Sequence, residues 1–460
     1  MKRKDIIELK IEKMHYGGKS EGKIEEKRII LKGGIKGQTV KAVVKKSRDN
    51  QVQASIIEVV EKSPDETKNT CKEFGVCGGC AYLSVDYETQ IEYKTEMLKE
   101  LFVKSGHNEF GNLVVEKSPE VYEYKNKMEF TFGNEIKDGE LNIGLHKKNS
   151  AMSIIDVSDC MLVTEDYRKI LTAVRDFFRE RKVSHYHIMK HEGVLRHLVL
   201  RRGRNTNTIL INLVTTSEIY NVDVDLKEFV KVLSSLELKD EITGIIHTIN
   251  DSLSDTVKSD YMNVLYGKEI FIDKVLRKEY LISPFSFFQT NTKGAEVLYT
   301  IAVEMIRDLS GQNVIFDLYS GTGTIGIALS GEAKRIYSIE IVQEAVEMAE
   351  QNAIRNNISN IEFICGDVGE KVSMLSQRGI KPDIIVIDPP RGGITPKALR
   401  DIIDFDAENI LYISCNAKCL VSDLTVLKQS GYLVRKVKAV DIFPNTNHVE
   451  CIALIQRVKS

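Results

Sequence analysis

The sequence predicts an α/β protein: a doubly wound parallel sheet in the C-terminal part, preceded by a small N-terminal β-barrel and a mixed α+β centre. Three observations lead there. Beyond about residue 286, apolar runs (VIFDLYS, RIYSIEI, IEFICGD, DIIVIDPP, NILYISCN) alternate with amphipathic helical stretches, the pattern of strands covered on both faces by crossover helices. At the other end, short β-type runs (IIELKIEKM, RIILKGG, TVKAVVKKS, QVQASIIEVVE) are punctuated by YGGKSEG and KGGIKG, the glycine-marked turns of a compact barrel. The chain's 460 residues exceed one ordinary core, so about three domains follow from length.

The N-terminal module is set at residues 1–62. It holds 16 Lys or Arg against 9 Asp or Glu, a surplus of +7 in a chain whose total is −2. A basic module on a mildly acidic body points to a polyanionic partner. SPDETKN reads as a linker. The centre, 70–285, mixes a helical stretch, IEYKTEMLKELFVKSG, with strand-like KMEFTFGN, LNIGLHKK and HLVLRRGRNTNTILINLVTT. The C-terminal domain, 286–460, closes with KVKAVDIFPNTNHVECIALIQRV, which reads as two strands. The opening MKRKDIIELKIEK lacks the apolar core of a secretory leader, and no apolar stretch approaches the ~18 residues of a membrane span. Eight cysteines in such a chain read as thiols or metal ligands, not disulfides. A cytoplasmic monomer without membrane contact is expected.

The segment VIFDLYSGTGTIGIALS is a strand, a glycine-rich turn and a helix, with Gly321, Gly323 and Gly326 spaced as G-x-G-x-x-G, a cradle for a nucleotide cofactor. The next strand ends at Glu340, 19 residues past Gly321, where a carboxylate takes two ribose hydroxyls. The third ends at Asp367, within reach of an adenine amine. A nicotinamide dinucleotide and S-adenosylmethionine (SAM) both fit so far. Asp317 in the first strand favours SAM, as does Asp388-Pro389-Pro390-Arg391 at the end of the fourth. The two prolines fix φ and remove competing N–H donors, so the carboxylate and carbonyls stay aimed at a planar base.

FFQTN, DLYSGTGTIG, YSIE, IDPPRGG, YISCN and FPNTNHVE follow one another in the order seen in RNA (uracil-5-)-methyltransferases, and the C-terminal domain resembles that family throughout. The N-terminal module is similar to a TRAM RNA-binding domain. The resemblance implies a Rossmann-like SAM-methyltransferase sheet, with Cys415 as nucleophile and Glu450 as base. It places Gln289, Tyr319, Glu340, Asp367 and Asp388 around SAM, Asp388 holding either the cofactor's amino end or the uracil edge. Ala417 stands where proline is common in the family and Ser320 where cysteine is frequent; neither is a reacting group.

Uracil chemistry gives Cys415 an independent reason. C5 is a poor nucleophile, so SAM cannot simply alkylate it. A thiolate adding at C6 makes the ring an enolate that attacks the methyl group, and a base must then remove the C5 proton so that the thiol can leave. A free cysteine has a pKa of about 8.5, so some activation is expected. Cys415, Asp388 and Glu450 stand at strand ends on one sheet edge. His448 is a rival base, and the resemblance selects Glu450; Cys419 and Cys451 read as structural thiols. Phe287 is a candidate platform for a base taken out of its stack.

Cys71, Cys77 and Cys80 are spaced C-x5-C-x2-C. Three close cysteines call for a metal and a fourth ligand, which Cys160 in DVSDCMLV can supply. Family members that this chain resembles bind [4Fe-4S] at this spacing, which makes a structural cluster the first expectation and zinc the second. Arg201, Arg202 and Arg204 in HLVLRRGRN, and Lys125 and Lys127 beside aromatics in YKNKMEF, are candidate RNA contacts. A cluster with a TRAM-like module makes the chain resemble the members acting on 23S rRNA more than the short tRNA enzymes, with tRNA uridine-54 the alternative. Two other readings are methylation of an exocyclic amine, with Cys415 inert, and a non-catalytic iron–sulfur RNA-binding protein.

Overall fold

The protein is described by a computed structural model covering residues 1–458 except 49–50, 68–70, 109–110, 112, 255, 258 and 310–312. Its strands form four sheets among the described residues. The first holds six strands, from Ile6–Lys10 to Gln51–Glu61. Their inward residues (Leu9, Ile29, Leu31, Val40, Val44, Val52) alternate with lysines and glutamates and pack into one small core, as period-2 patterning demands.

The centre is a seven-stranded sheet running from Lys127–Gly133 through Tyr261–Gly267. Only its Thr208–Thr215 and Glu241–Ile249 pair is parallel, and that crossover carries helix Leu226–Ser234. Helix Glu165–Glu180, capped by Thr164, lays Phe177 and Phe178 on the sheet beside Phe132 and Phe229. The Phe132–Phe178 and Phe177–Phe178 ring pairs meet edge-on, the arrangement that ring quadrupoles favour.

The third large sheet has eight strands in the order Ile361–Cys365, Ala333–Glu340, Asn313–Leu318, Ile384–Ile387, Asn409–Ser414, Glu450–Arg457, Tyr432–Val440, Val115–Glu116. The first five are parallel and Glu450–Arg457 runs against them. Ile384–Ile387 and Asn409–Ser414 are buried throughout, because helices cover both faces. Chain order reverses on either side of Asn313–Leu318, so a crevice opens at the carboxyl ends there.

One boundary differs from expectation. Helix Tyr87–Lys104 and strand Val115–Glu116, both placed in the centre by sequence, belong to the C-terminal body. Ile91, Leu98, Phe102, Leu113 and Val115 share its core, and Val115–Glu116 pairs with Ala439 and Val440 at the sheet edge. A two-residue strand carries no periodicity to read. The helix is tied down by a buried ion pair, Lys94 Nζ to Asp441 Oδ1 at 2.6 Å.

Candidate active site

The glycine-rich turn leaves the first strand of the crevice through Tyr319, held at φ 63°, a left-handed conformation uncommon outside glycine and found where function over-determines the backbone. Gly321 and Gly323 follow at φ 53° and 78°. Gly326 lets the helix pack tightly: a Cβ there would lie 2.7 Å from Asp317 Oδ2 and 2.9 Å from Ser338 Oγ. Glu340 accepts the Gly321 N–H at 2.9 Å through Oε2, and the N–H groups of Ile341 and Val342 through Oε1. It therefore fixes the turn at the carboxyl end of its strand. Asp367 caps helix Val368–Gln377 by accepting the Glu370 N–H.

Three carboxyls crowd the middle of the crevice. Asp317 is buried, accepts Ser338 Oγ–H at 3.1 Å on Oδ2, and has no hydrogen-bond partner on Oδ1. Burial pushes it up to about 7. Asp388 is pushed up to about 7 by burial and by Asp317. Glu450, 2% exposed, is pushed up to about 8 by burial and by Asp388, against the opposing pull of Arg391. Buried acids with pKa values raised in this way mark a candidate functional site.

Cys415 stands in the same field. The antiparallel pairing of Asn409–Ser414 with Glu450–Arg457 ends at Ser414 opposite Cys451. Continued by one residue, that register sets Cys415 against Glu450. Burial, Glu450 and Asp388 push the thiol up to about 11, and Arg391 pulls it down. Asn416 anchors the following turn: its Nδ2 donates to Arg391 O at 3.1 Å, and its Oδ1 accepts the Lys418 N–H. His448 lies ahead of strand Glu450–Arg457 and packs edge-on against Phe443. Cys451 is fully buried, and Cys419 stands beside Asn416 and Arg391. Gln289 is buried, while Phe287 is 68% exposed.

A chain with this crevice matches the tRNA (Uracil-5-)-methyltransferase family model over residues 86–458. The chain belongs to that family. Full-length relatives include an uncharacterized RNA methyltransferase of Clostridium tetani, 46% identical over 99% of both chains, and one of Clostridium acetobutylicum, 44% identical with the same coverage. Among solved structures, the tRNA (uracil-54, C5)-methyltransferase of Pyrococcus abyssi, in complex with S-adenosyl-L-homocysteine, is similar with a TM-score of 0.73 and 25% identity, covering 98% of this chain and all of that one. As a member of this family the protein is a SAM-dependent RNA methyltransferase, and the family's α/β methyltransferase fold is the one observed.

In this family member the basic residues read as candidate RNA contacts are engaged within the protein. Arg201 is 2% exposed; its guanidinium donates to the carbonyls of Ser283, Pro284 and Ser286, holding the loop that leads to Phe287 and Gln289. It supports that loop and is shielded from solvent. Arg202 pairs with Asp240 and Arg204 with Glu120. Lys127 pairs with Glu129 at 2.7 Å. Lys125 turns inward to the cysteine cavity. Lys19, Lys32 and Lys148 share a groove of about 350 Å³ with His448 and the turn Gly33–Gly34. Only folding brings these segments together.

Cys71, Cys77, Cys80 and Cys160 line one cavity of about 270 Å³. Burial pushes Cys77, Cys80 and Cys160 up, Cys80 to about 12; the other thiols raise it further, and Lys125 opposes them. Among the described residues no three Cys, His, Asp or Glu side chains are drawn close enough to hold a single metal ion. Neither zinc nor the iron–sulfur cluster expected from the cysteine spacing is therefore shown at these thiols. Four thiols about one cavity are the donor type that a larger iron–sulfur group takes.

Proposed function

We propose that the protein moves the methyl group of SAM to C5 of a uridine in RNA through a covalent adduct between Cys415 and C6 of the base. The observation that carries this reading is the meeting of Cys415 and Glu450 at adjoining strand ends, with Asp388 and Arg391 in the same field. Cys415 Sγ loses its proton to solvent and bonds C6, and the C5–C6 π electrons move toward the O4 carbonyl. C5 takes the methyl group from the sulfonium, leaving S-adenosylhomocysteine. Glu450 then removes the C5 proton, the double bond re-forms and Sγ leaves. A carboxyl raised to about 8 is a stronger base than an ordinary one and is matched to neutral pH. A cationic sulfonium bound beside Asp317, Asp388 and Glu450 would supply the charge they lack and would lower them.

Gln289, Tyr319, Glu340, Asp367 and Asp388 hold SAM in this reading, and Phe287 stacks the extruded uracil. Lys19, Lys32 and Lys148 replace Arg201, Lys125 and Lys127 as the phosphate contacts. The four cysteines hold a [4Fe-4S] cluster that ties residues 71–80 to Cys160 and the central sheet; Lys72 and Asp159, paired at 2.9 Å, already join the two segments. The substrate favoured is 23S rRNA, on the strength of the cysteine cavity and the basic N-terminal module. The likeness to a tRNA uridine-54 enzyme supports the tRNA reading.

The test is a trap. RNA carrying 5-fluorouridine has no C5 proton to surrender, so protein incubated with SAM and fluorinated rRNA or tRNA transcripts should hold a covalent RNA visible by mass. The adduct should vanish in Cys415→Ala, and sequencing the trapped RNA names the uridine. No adduct from protein shown to bind SAM rules out the C5 mechanism.

A further inference from the structure

The turn Tyr16–Lys19 of the N-terminal sheet is seated between the residues that follow Cys415 and those that precede Glu450. A Cβ on Gly17 would come within 2.8 Å of Lys418 Nζ, and one on Gly18 within 2.4 Å of Asn447 Nδ2. Both glycines have positive φ, 87° and 69°, so other residues are disfavoured by the backbone. Tyr16 leads the turn inward. Its ring packs against the core of the C-terminal sheet, Lys418 Nζ lies 5.8 Å from the ring centroid, and its hydroxyl accepts the Ala417 N–H at 3.0 Å.

Ala417 opens helix Ala417–Gln429 two residues after Cys415. The first N–H groups of a helix have no partner within it. Asn416 serves Lys418, which leaves Ala417 to a group supplied from outside. That group comes from a residue 401 positions earlier in the chain. Burial keeps the Tyr16 phenol protonated, and Glu450 and Cys415 push in the same direction, so the hydroxyl stays a neutral acceptor whatever the charge of the site.

We propose that Tyr16 is a positioning residue of the methyl transfer: its hydroxyl, delivered by the N-terminal module, fixes the first turn of the helix behind Cys415 and so sets the approach of the thiol to C6. The N-terminal module then completes the nucleophile's geometry in addition to any grip it has on RNA. This rests on Cys415 being the nucleophile.

Single-turnover adduct formation with 5-fluorouridine RNA and SAM, in the full-length protein, separates the possibilities. Tyr16→Phe keeps the ring and removes the acceptor. The expected result is adduct formation slowed about ten-fold at saturating RNA, with RNA dissociation constant within about two-fold of the parent. Tyr16→Ala also loses the ring's packing, so its melting temperature should fall further while its adduct rate matches that of Tyr16→Phe. A normal rate in Tyr16→Phe overturns the proposal. So does a loss that appears only in RNA affinity, or one that follows melting temperature across the two variants. No adduct from the parent protein overturns the Cys415 reading and this one with it; a parent adduct with an unimpaired Tyr16→Phe overturns this one alone.

Discussion

Glu450 shows how a single residue can be costly to the fold and useful to the reaction. Its carboxyl is raised by burial to about 8, so the folded protein holds a proton that the unfolded chain releases near 4.3. Stability contributed by this group is therefore complete at acid pH and declines as pH climbs from about 4 to about 8, by up to ~1.4 kcal/mol per pH unit. Glu450→Gln has no proton to lose. Its melting temperature should gain on the parent progressively between pH 5 and pH 8, a trend that differential scanning calorimetry at several pH values checks. The same variant should form the 5-fluorouridine adduct, since the nucleophile is intact, yet turn over ordinary RNA at least a hundred-fold more slowly, the low end of what a positioned base contributes. With RNA containing ordinary uridine, an adduct that persists in Glu450→Gln and clears in the parent assigns proton removal to this carboxyl.

At the scale of elements, the strand–turn–helix around Gly326 and the helix Tyr87–Lys104 are each held by one small feature. Gly326→Ala drives a methyl group to 2.7 Å from Asp317 Oδ2, which the buried strand cannot relieve by moving. The expected cost is about 1–3 kcal/mol, the range for overpacking. It should appear as weaker SAM binding by calorimetry, because the displaced carboxylate faces the crevice. Lys94→Ala strands Asp441 without its cation in a core position, and removal of one buried partner costs about 3–5 kcal/mol. Lys94→Met with Asp441→Leu should recover most of that loss in thermal melts, since both charges go. These features also show what could be read from sequence and what could not. Ile384–Ile387 and Asn409–Ser414 announced themselves, since strands covered on both faces are continuous apolar runs. The glycine turn and Glu340 followed from spacing, and Cys415 with Glu450 from the needs of uracil chemistry and the family likeness. Lys94 and Asp441 carry no mark in the sequence, because their pairing joins a helix and a sheet edge 347 residues apart. Arg201 misled for the same reason: a basic run in a strand gives no sign of the three carbonyls waiting for it on another segment.

On the scale of the whole molecule, the surplus positive charge of residues 1–62 becomes functional only through its placement against the other bodies. Lys19 and Lys32 come from the N-terminal sheet, Lys148 from the central one and His448 from the catalytic edge, yet all line one groove. Gly33 and Gly34 lie in its wall, where a backbone without side chains lets a polyanion approach closely. If the groove carries RNA to Cys415, each lysine that neutralises a phosphate releases counterions, and the logarithm of affinity falls with the logarithm of salt by about 0.7 per phosphate on a single strand. Lys32→Ala and Lys148→Ala should each weaken RNA binding and reduce that slope by about 0.7, with adduct formation at saturating RNA unchanged. Arg201→Ala should do the reverse. Its guanidinium is spent on the carbonyls of Ser283, Pro284 and Ser286, so the salt slope should stay as in the parent, while thermal stability falls and the loop bearing Phe287 and Gln289 loosens. Filter binding across a salt series, run beside melting curves, distinguishes the two classes. An Arg201 variant with a reduced slope and an unchanged melting temperature would return that arginine to the RNA surface and sink the groove assignment.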